Sequence, residues 1–75
     1  MLDLERNNEI LQKIAAKLRL LRLKAGLLQK TVSAETGLNM GHLEGARKNV
    51  TLTTLERLCE YYNITLDEFF KDIDI

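Results

Sequence analysis

The sequence predicts an all-α domain built from five helices. Three observations carry that expectation. The chain of 75 residues has no proline and only four glycines, so little interrupts a helix except at a few positions. Its leucines and isoleucines recur at separations of three, four and seven, which is the helical period. Capping residues stand ahead of the periodic stretches at Asp3, Asn39, Thr51 and Thr65. The length suits a single domain over residues 1–75, with a core small enough that packing must be good or shared with a partner.

The first helix is expected from about residue 4 to 25. Leu4, Leu11, Leu18 and Ala25 fall seven apart, as do Ile14, Leu21 and Leu28, with Asn7 the one polar member of the seam. Asp3 or Asn8 is its N-cap, and Gly26 stops it. Residues 1–13 form a helical extension ahead of the main bundle. Leu20, Leu23 and Leu27 lie off the seam, giving this helix more apolar faces than one small core requires. Leu20 and Leu27 are expected to meet other helices of the same domain. The second helix runs from Gln29 to about Glu35, with Val32 and Thr36 inward. Gly37 ends it at positive φ, and Leu38 plugs the turn. Asn39 caps a third helix from Met40 to about Ala46, and residues 47–50 form a loop. Thr51 caps the fourth helix, about 52 to 62, whose inward stripe is Leu52, Leu55, Leu58, Cys59 and Tyr62. Asn63 accepts the left-handed conformation at its end. Thr65 and Glu68 make a capping box for the fifth helix, where Phe69 or Phe70 closes the core and 71–75 is a frayed tail.

Composition excludes several function classes. No run of 18 apolar residues exists, so no membrane span is expected, and MLDLERNN has no basic segment leading an apolar one, so it is no secretory signal. The single cysteine, Cys59, fits a reducing cytoplasm and reads as a small buried hydrophobe. One histidine and one distant cysteine make neither a metal site nor a nucleophilic pair, and no phosphate loop or nucleophile elbow is present. The expectation is therefore not an enzyme, and no cofactor.

Zero net charge hides an asymmetry. Residues 1–50 hold nine Lys/Arg against five Asp/Glu, and residues 51–75 hold two against six. From Lys13 to Lys30 there are six basic residues and no acid. A positive end suits a polyanion approached from one side. A solvated helix face is the equally weighted alternative.

The order of elements (helix, short helix, glycine turn, short helix, helix, helix) is that of a helix-turn-helix domain. The residues go further. IAAKLRLLRLKAGLLQ (14–29) resembles the opening of the lambda-repressor-like, or XRE/Cro-type, family. TLTTLERLCEYYNITLDEFF (51–70) resembles its closing segment. ARKNVT (46–51) is similar to the loop after the recognition helix in controller proteins of restriction–modification systems. The resemblance covers about 14 to 70. It implies a compact five-helix domain that binds double-stranded DNA as a transcriptional regulator, here with an extended first helix and a shortened recognition helix.

The middle of the chain departs from the family, being about three residues short between Gly37 and Leu52. Two alignments remain open. In one, residues 39–46 are a normal recognition helix with a trimmed loop. In the other, LEGARKNVTL keeps the family's helix end and loop, and the first turn of the recognition helix is missing. Base edges would then be offered only Asn39, Met40, Gly41 and His42. Asn39 suits adenine unless its side chain is occupied as an N-cap. Met40 can touch a thymine methyl or pack inward. Gly41 reads nothing but admits a close backbone. His42 can donate to guanine or phosphate. Backbone contacts are better supplied. The resemblance implies that Gln29 meets the DNA backbone, with Lys30 beside it, and that Arg47, Lys48 and Asn49 meet phosphates from the loop. Lys17 is a further candidate for DNA and Arg22 for a carboxylate within the domain. Glu44, by the same resemblance, bonds to the scaffold.

Two functions follow as expectations. The first is a cytoplasmic, sequence-specific DNA-binding regulator, a homodimer paired through helix 5 or the leucine seam of helix 1, the resemblance favouring the C-terminal helices. The second is a helix-turn-helix protein that has lost base reading and acts on a partner repressor protein, as an anti-repressor or a repressor subunit.

Overall fold

A computed structural model describes residues 4–73 of the chain, with side chains described from residue 8 onward. Five helices follow in order: α1 Leu4–Lys24, α2 Gln29–Thr36, α3 Met40–Glu44, α4 Leu52–Tyr61 and α5 Leu66–Lys71. All described regular structure is helical. Each helix sends at least one side chain into a shared core: Ile14 and Leu18 from α1, Val32 from α2, Met40 from α3, Leu55, Leu58 and Cys59 from α4, and Phe69 from α5. Half-buried Leu21, Leu27, Leu38, Val50, Tyr62, Phe70 and Ile73 pack around it.

The punctuation behaves as the local chemistry requires. Gly26 and Gly37 stand at φ 71° and 75°, and the Gly37 amide donates to the Ser33 carbonyl to close α2. Thr51 Oγ1 accepts from the Thr54 amide at 3.1 Å. Thr65 Oγ1 accepts from the Glu68 amide while Glu68 Oε1 accepts from the Thr65 amide, a reciprocal capping box. Asn63 takes φ 59° at the end of α4.

Several expectations are corrected. Asn8 lies inside α1, which already runs from Leu4, so it is not a cap; Asp3 lies outside the described residues. The inward face of α1 is Ile10, Ile14, Leu18 and Leu21 with Ala15 and Arg22, so the seven-residue seam faces the core only over its middle, at Ile14, Leu18 and Leu21. Ala25 and Leu28 are exposed, because α1 ends at Lys24 and the chain turns away there. A strict seven-residue repeat drifts round a straight helix, and only two turns of the seam reach the core. Leu20 and Leu23 point outward at 44% and 53% exposure, so the inward role expected of Leu20 is wrong, while Leu27 does pack on the core. Leu52 is 71% exposed, since it opens α4 a turn before the stripe meets its neighbours. Finally, α3 stops at Glu44, with Gly45 as its C-cap and Ala46 at φ 54°. The glycine at 45 therefore ends a helix and does not weaken one.

Candidate nucleic-acid interface

The turn between α2 and α3 is held from both sides. Thr36 Oγ1 donates to the Val32 carbonyl at 2.7 Å and accepts from the Leu38 amide at 3.2 Å. Ser33 Oγ accepts from the Met40 amide at 3.1 Å, so α2 itself supplies a partner for the first amide of α3. Asn39 Oδ1 accepts from the His42 amide at 3.0 Å. From behind, Arg57 on α4 donates to the Thr36 carbonyl, and the Tyr61 hydroxyl donates to Glu35. The last bond raises the Tyr61 phenol to about 12, because it favours the neutral form. Two short helices that would be unstable alone are thereby set at a defined angle.

A second network joins α1, α2 and α3. Arg22 is almost fully buried and points its fork at Glu44: Nε donates to Oε2 at 2.8 Å and Nη2 to Oε1 at 3.0 Å. Its remaining nitrogen, Nη1, donates to the Leu27 carbonyl at 2.8 Å, fixing the α1–α2 connection. The Glu44 bond holds the Arg22 guanidinium above its already high ordinary value, against the opposing effect of burial. Gln29 Nε2 donates to Glu44 Oε1 at 3.1 Å. The Glu44 carboxylate thus has its charge neutralised inside the domain and does not repel phosphate. Both expectations for this pair hold: Arg22 holds a carboxylate of the same domain, and Glu44 bonds to the scaffold.

The surface beyond this network is contiguous. A Cβ built at Gly41 would stand 3.4 Å from Asn39 Oδ1 and 3.8 Å from Gln29 Oε1. One built at Gly45 would stand 2.9 Å from the Gly41 carbonyl and within 3.7 Å of Arg47 Nε. Gln29 and Asn39 thus border Gly41, and Gly41 and Arg47 border Gly45, across α2, α3 and the following loop. Lys30, Lys48 and Asn49 are exposed, and Asn49 borders Ile10, Leu11 and Ile14 of α1. His42 is half-buried, and its backbone carbonyl accepts from the Arg47 amide at 3.1 Å.

One candidate is removed. Met40 is fully buried in the core, held at the first position of α3 by Ser33, and cannot touch a thymine methyl. Asn39 is engaged as the N-cap through its oxygen, so only its amide nitrogen faces outward chemistry. Lys17 is half-buried and lies 3.7 Å from Asp72, which directs it to the end of α5. Sequence reasoning missed Ser33, Arg57 and the Gln29–Glu44 bond. Ser33 lies seven residues before Met40 and Arg57 lies 21 after Thr36, separations with no local signal.

Among the described residues no group of three or more His, Cys, Asp or Glu is placed to hold a metal ion, and no helix is long and apolar enough to cross a membrane. Residues 17–74 match the family described as the Cro/C1-type HTH DNA-binding domain. No curated protein and no solved structure matches the chain. The match begins inside α1 and takes in both short helices, the loop and α4–α5, and so spans the residues of the network just described. The chain belongs to the Cro/C1-type helix-turn-helix DNA-binding domain family, whose members are DNA-binding regulators and not enzymes.

Proposed function

We propose that this chain is a cytoplasmic, sequence-specific regulator that docks α2 and α3 on duplex DNA as a homodimer. The observation that carries the reading is the unbroken surface from Gln29 through Gly41 and Gly45 to Arg47. Lys30 and Lys48, the exposed neighbours in sequence of Gln29 and Arg47, support it, and Glu44 is already paired with Arg22. The α2 helix also has Leu28 as its N-cap, with no side-chain cap bond, which leaves its positive end open to a phosphate. One module of this size buries little surface, so a second copy supplies affinity, with half-sites about one helical turn apart. Pairing through α5 and its half-buried Phe70 is the arrangement favoured, and sedimentation at rising protein concentration tests it.

The experiment that tests DNA docking is the salt dependence of binding to mixed-sequence duplex. Lys30, Arg47 and Lys48 imply a log–log slope of about −3 per copy, at roughly −0.9 per neutralised phosphate. Absence of binding even at low salt overturns the reading.

A second reading has an observation of its own. The α3 helix has five residues, and its first side chain is buried. That is also what a helix-turn-helix protein that no longer reads bases would show. Such a protein would act on a partner repressor, and capture of a repressor homologue with no DNA binding would establish it.

A further inference from the structure

We infer that the base-reading side chain of this protein is Gln29 on α2, presented over Gly41 and positioned by Glu44, and that it reads an adenine in the major groove. The inference rests on the DNA-docking reading above. It departs from the backbone contact that the family resemblance implies for Gln29.

The argument begins with what α3 lacks. Met40 is buried, Gly41 has no side chain, and the Asn39 oxygen is engaged with the His42 amide. The first turn of α3 therefore offers a base edge only the half-buried His42 and the Asn39 amide nitrogen. Gln29 stands directly behind that gap: a Cβ at Gly41 would meet its Oε1 at 3.8 Å. Any longer side chain at position 41 would stand over the glutamine amide. Glycine at 41 leaves it open.

Polarity comes next. A carboxylate only accepts, so the Gln29 group facing Glu44 must be the NH₂, and the orientation of the amide follows from its partner. One of the two amide hydrogens is thereby committed. What remains outward is Oε1, an acceptor, beside the second N–H, a donor. A phosphate offers acceptors alone and leaves Oε1 unmatched. The edge of adenine offers N6–H as donor and N7 as acceptor side by side, which matches both remaining groups. Glu44 is in turn locked by two bonds from Arg22, so the glutamine is fixed before DNA arrives. Glu44 acts here as a positioning residue.

The test is site selection from a randomised duplex library, followed by affinity measurement on the selected site and its single-base variants. Wild type should prefer adenine at one position of each half-site. Gln29→Ala should lower discrimination at that position by roughly tenfold or more, the worth of a bidentate base contact, while ranking at other positions stays as in wild type. Gly41→Leu should do the same with Gln29 intact, by covering the amide. Lys48→Ala should weaken binding to all sequences alike. Two results overturn the inference while leaving DNA docking intact. In one, both variants keep the adenine preference. In the other, Gln29→Ala loses affinity equally for every sequence, which marks a backbone contact. Failure of wild type to bind any duplex is a different outcome, overturning both readings at once.

Discussion

Replacing Glu44 by alanine removes three hydrogen bonds at once, two from Arg22 and one from Gln29. It leaves the Arg22 guanidinium, whose side chain is 9% exposed, with only the Leu27 carbonyl as a partner. Removing one member of a buried ion pair typically costs about 3–5 kcal/mol, because the other charge stays desolvated and uncompensated. The lower end applies here, since a short α3 can yield and let water reach the arginine. Stability of a chain this size is roughly 4–11 kcal/mol, at about 0.05–0.15 kcal/mol per residue. A loss near 3 kcal/mol is thus a large share of it. The assay is urea unfolding followed by far-ultraviolet circular dichroism, with a thermal scan in which the midpoint should fall by about 12 °C or more. Two companions sharpen the result. Arg22→Ala with Glu44→Ala should cost less than the sum of the single changes, because neither leaves an orphan charge. Arg22→Met with Glu44→Leu should recover much of the loss by packing. A cost for Glu44→Ala below about 1 kcal/mol would place the pair among ordinary solvated ion pairs and refute the argument that it organises α1, α2 and α3.

The two α3 glycines should respond in opposite directions. Gly41→Ala places a Cβ in ordinary contact with Asn39 Oδ1 and should stabilise by up to about 1 kcal/mol through helix propensity, whereas Gly45→Ala drives a Cβ to 2.9 Å from the Gly41 carbonyl and should destabilise by roughly 1–3 kcal/mol; chemical denaturation measures both. Thr65→Ala breaks the capping box of α5 and should cost about 1 kcal/mol in the same assay. Alkaline titration, followed by phenolate absorbance and by stability, tests the tyrosines. Tyr61 is raised to about 12 by its bond to Glu35, and Tyr62 is raised mainly by burial, with Glu44 adding to it. Since both folded values lie above the ordinary 10, the stability they contribute is whole below pH 10, and the Tyr61 share is lost as pH climbs towards about 12. Phenolate assigned to Tyr61, by comparison with a Tyr62→Phe variant, appearing in the native protein near pH 10 would contradict the Tyr61–Glu35 latch.

Much of the candidate surface was legible in the residues. Gln29 and Lys30 at the head of α2, and Arg47 and Lys48 after α3, are where their order and type placed them, on exposed chain. Met40 was not legible as core or surface. Its position after a cap fits either, and the choice was made by the Ser33 clamp and the space between α2 and α4. The heptad reading of α1 held at Ile14, Leu18 and Leu21 but not at Ala25 and Leu28, for a related reason. Seven-residue spacing is compatible with two adjacent faces of a helix, and only the neighbours select one. Leu20 and Leu52 show the same limit: an aliphatic residue at helical spacing says nothing about whether a partner element reaches it.

By itself the sequence determined the five helices, the caps at Asn39, Thr51 and Thr65, and the left-handed positions at Gly26, Gly37 and Asn63. Those features depend on backbone sterics and hydrogen bonds within a few residues. Only the tertiary structure decided that α3 ends at Glu44, that Met40 turns inward, and that one carboxylate serves both Arg22 and Gln29. The bonds to that carboxylate join residues 22 and 15 apart, and nothing local to either end anticipates them. They form when burying the apolar stripes brings three helices together, and that same packing leaves the Gln29 amide facing the gap at Gly41.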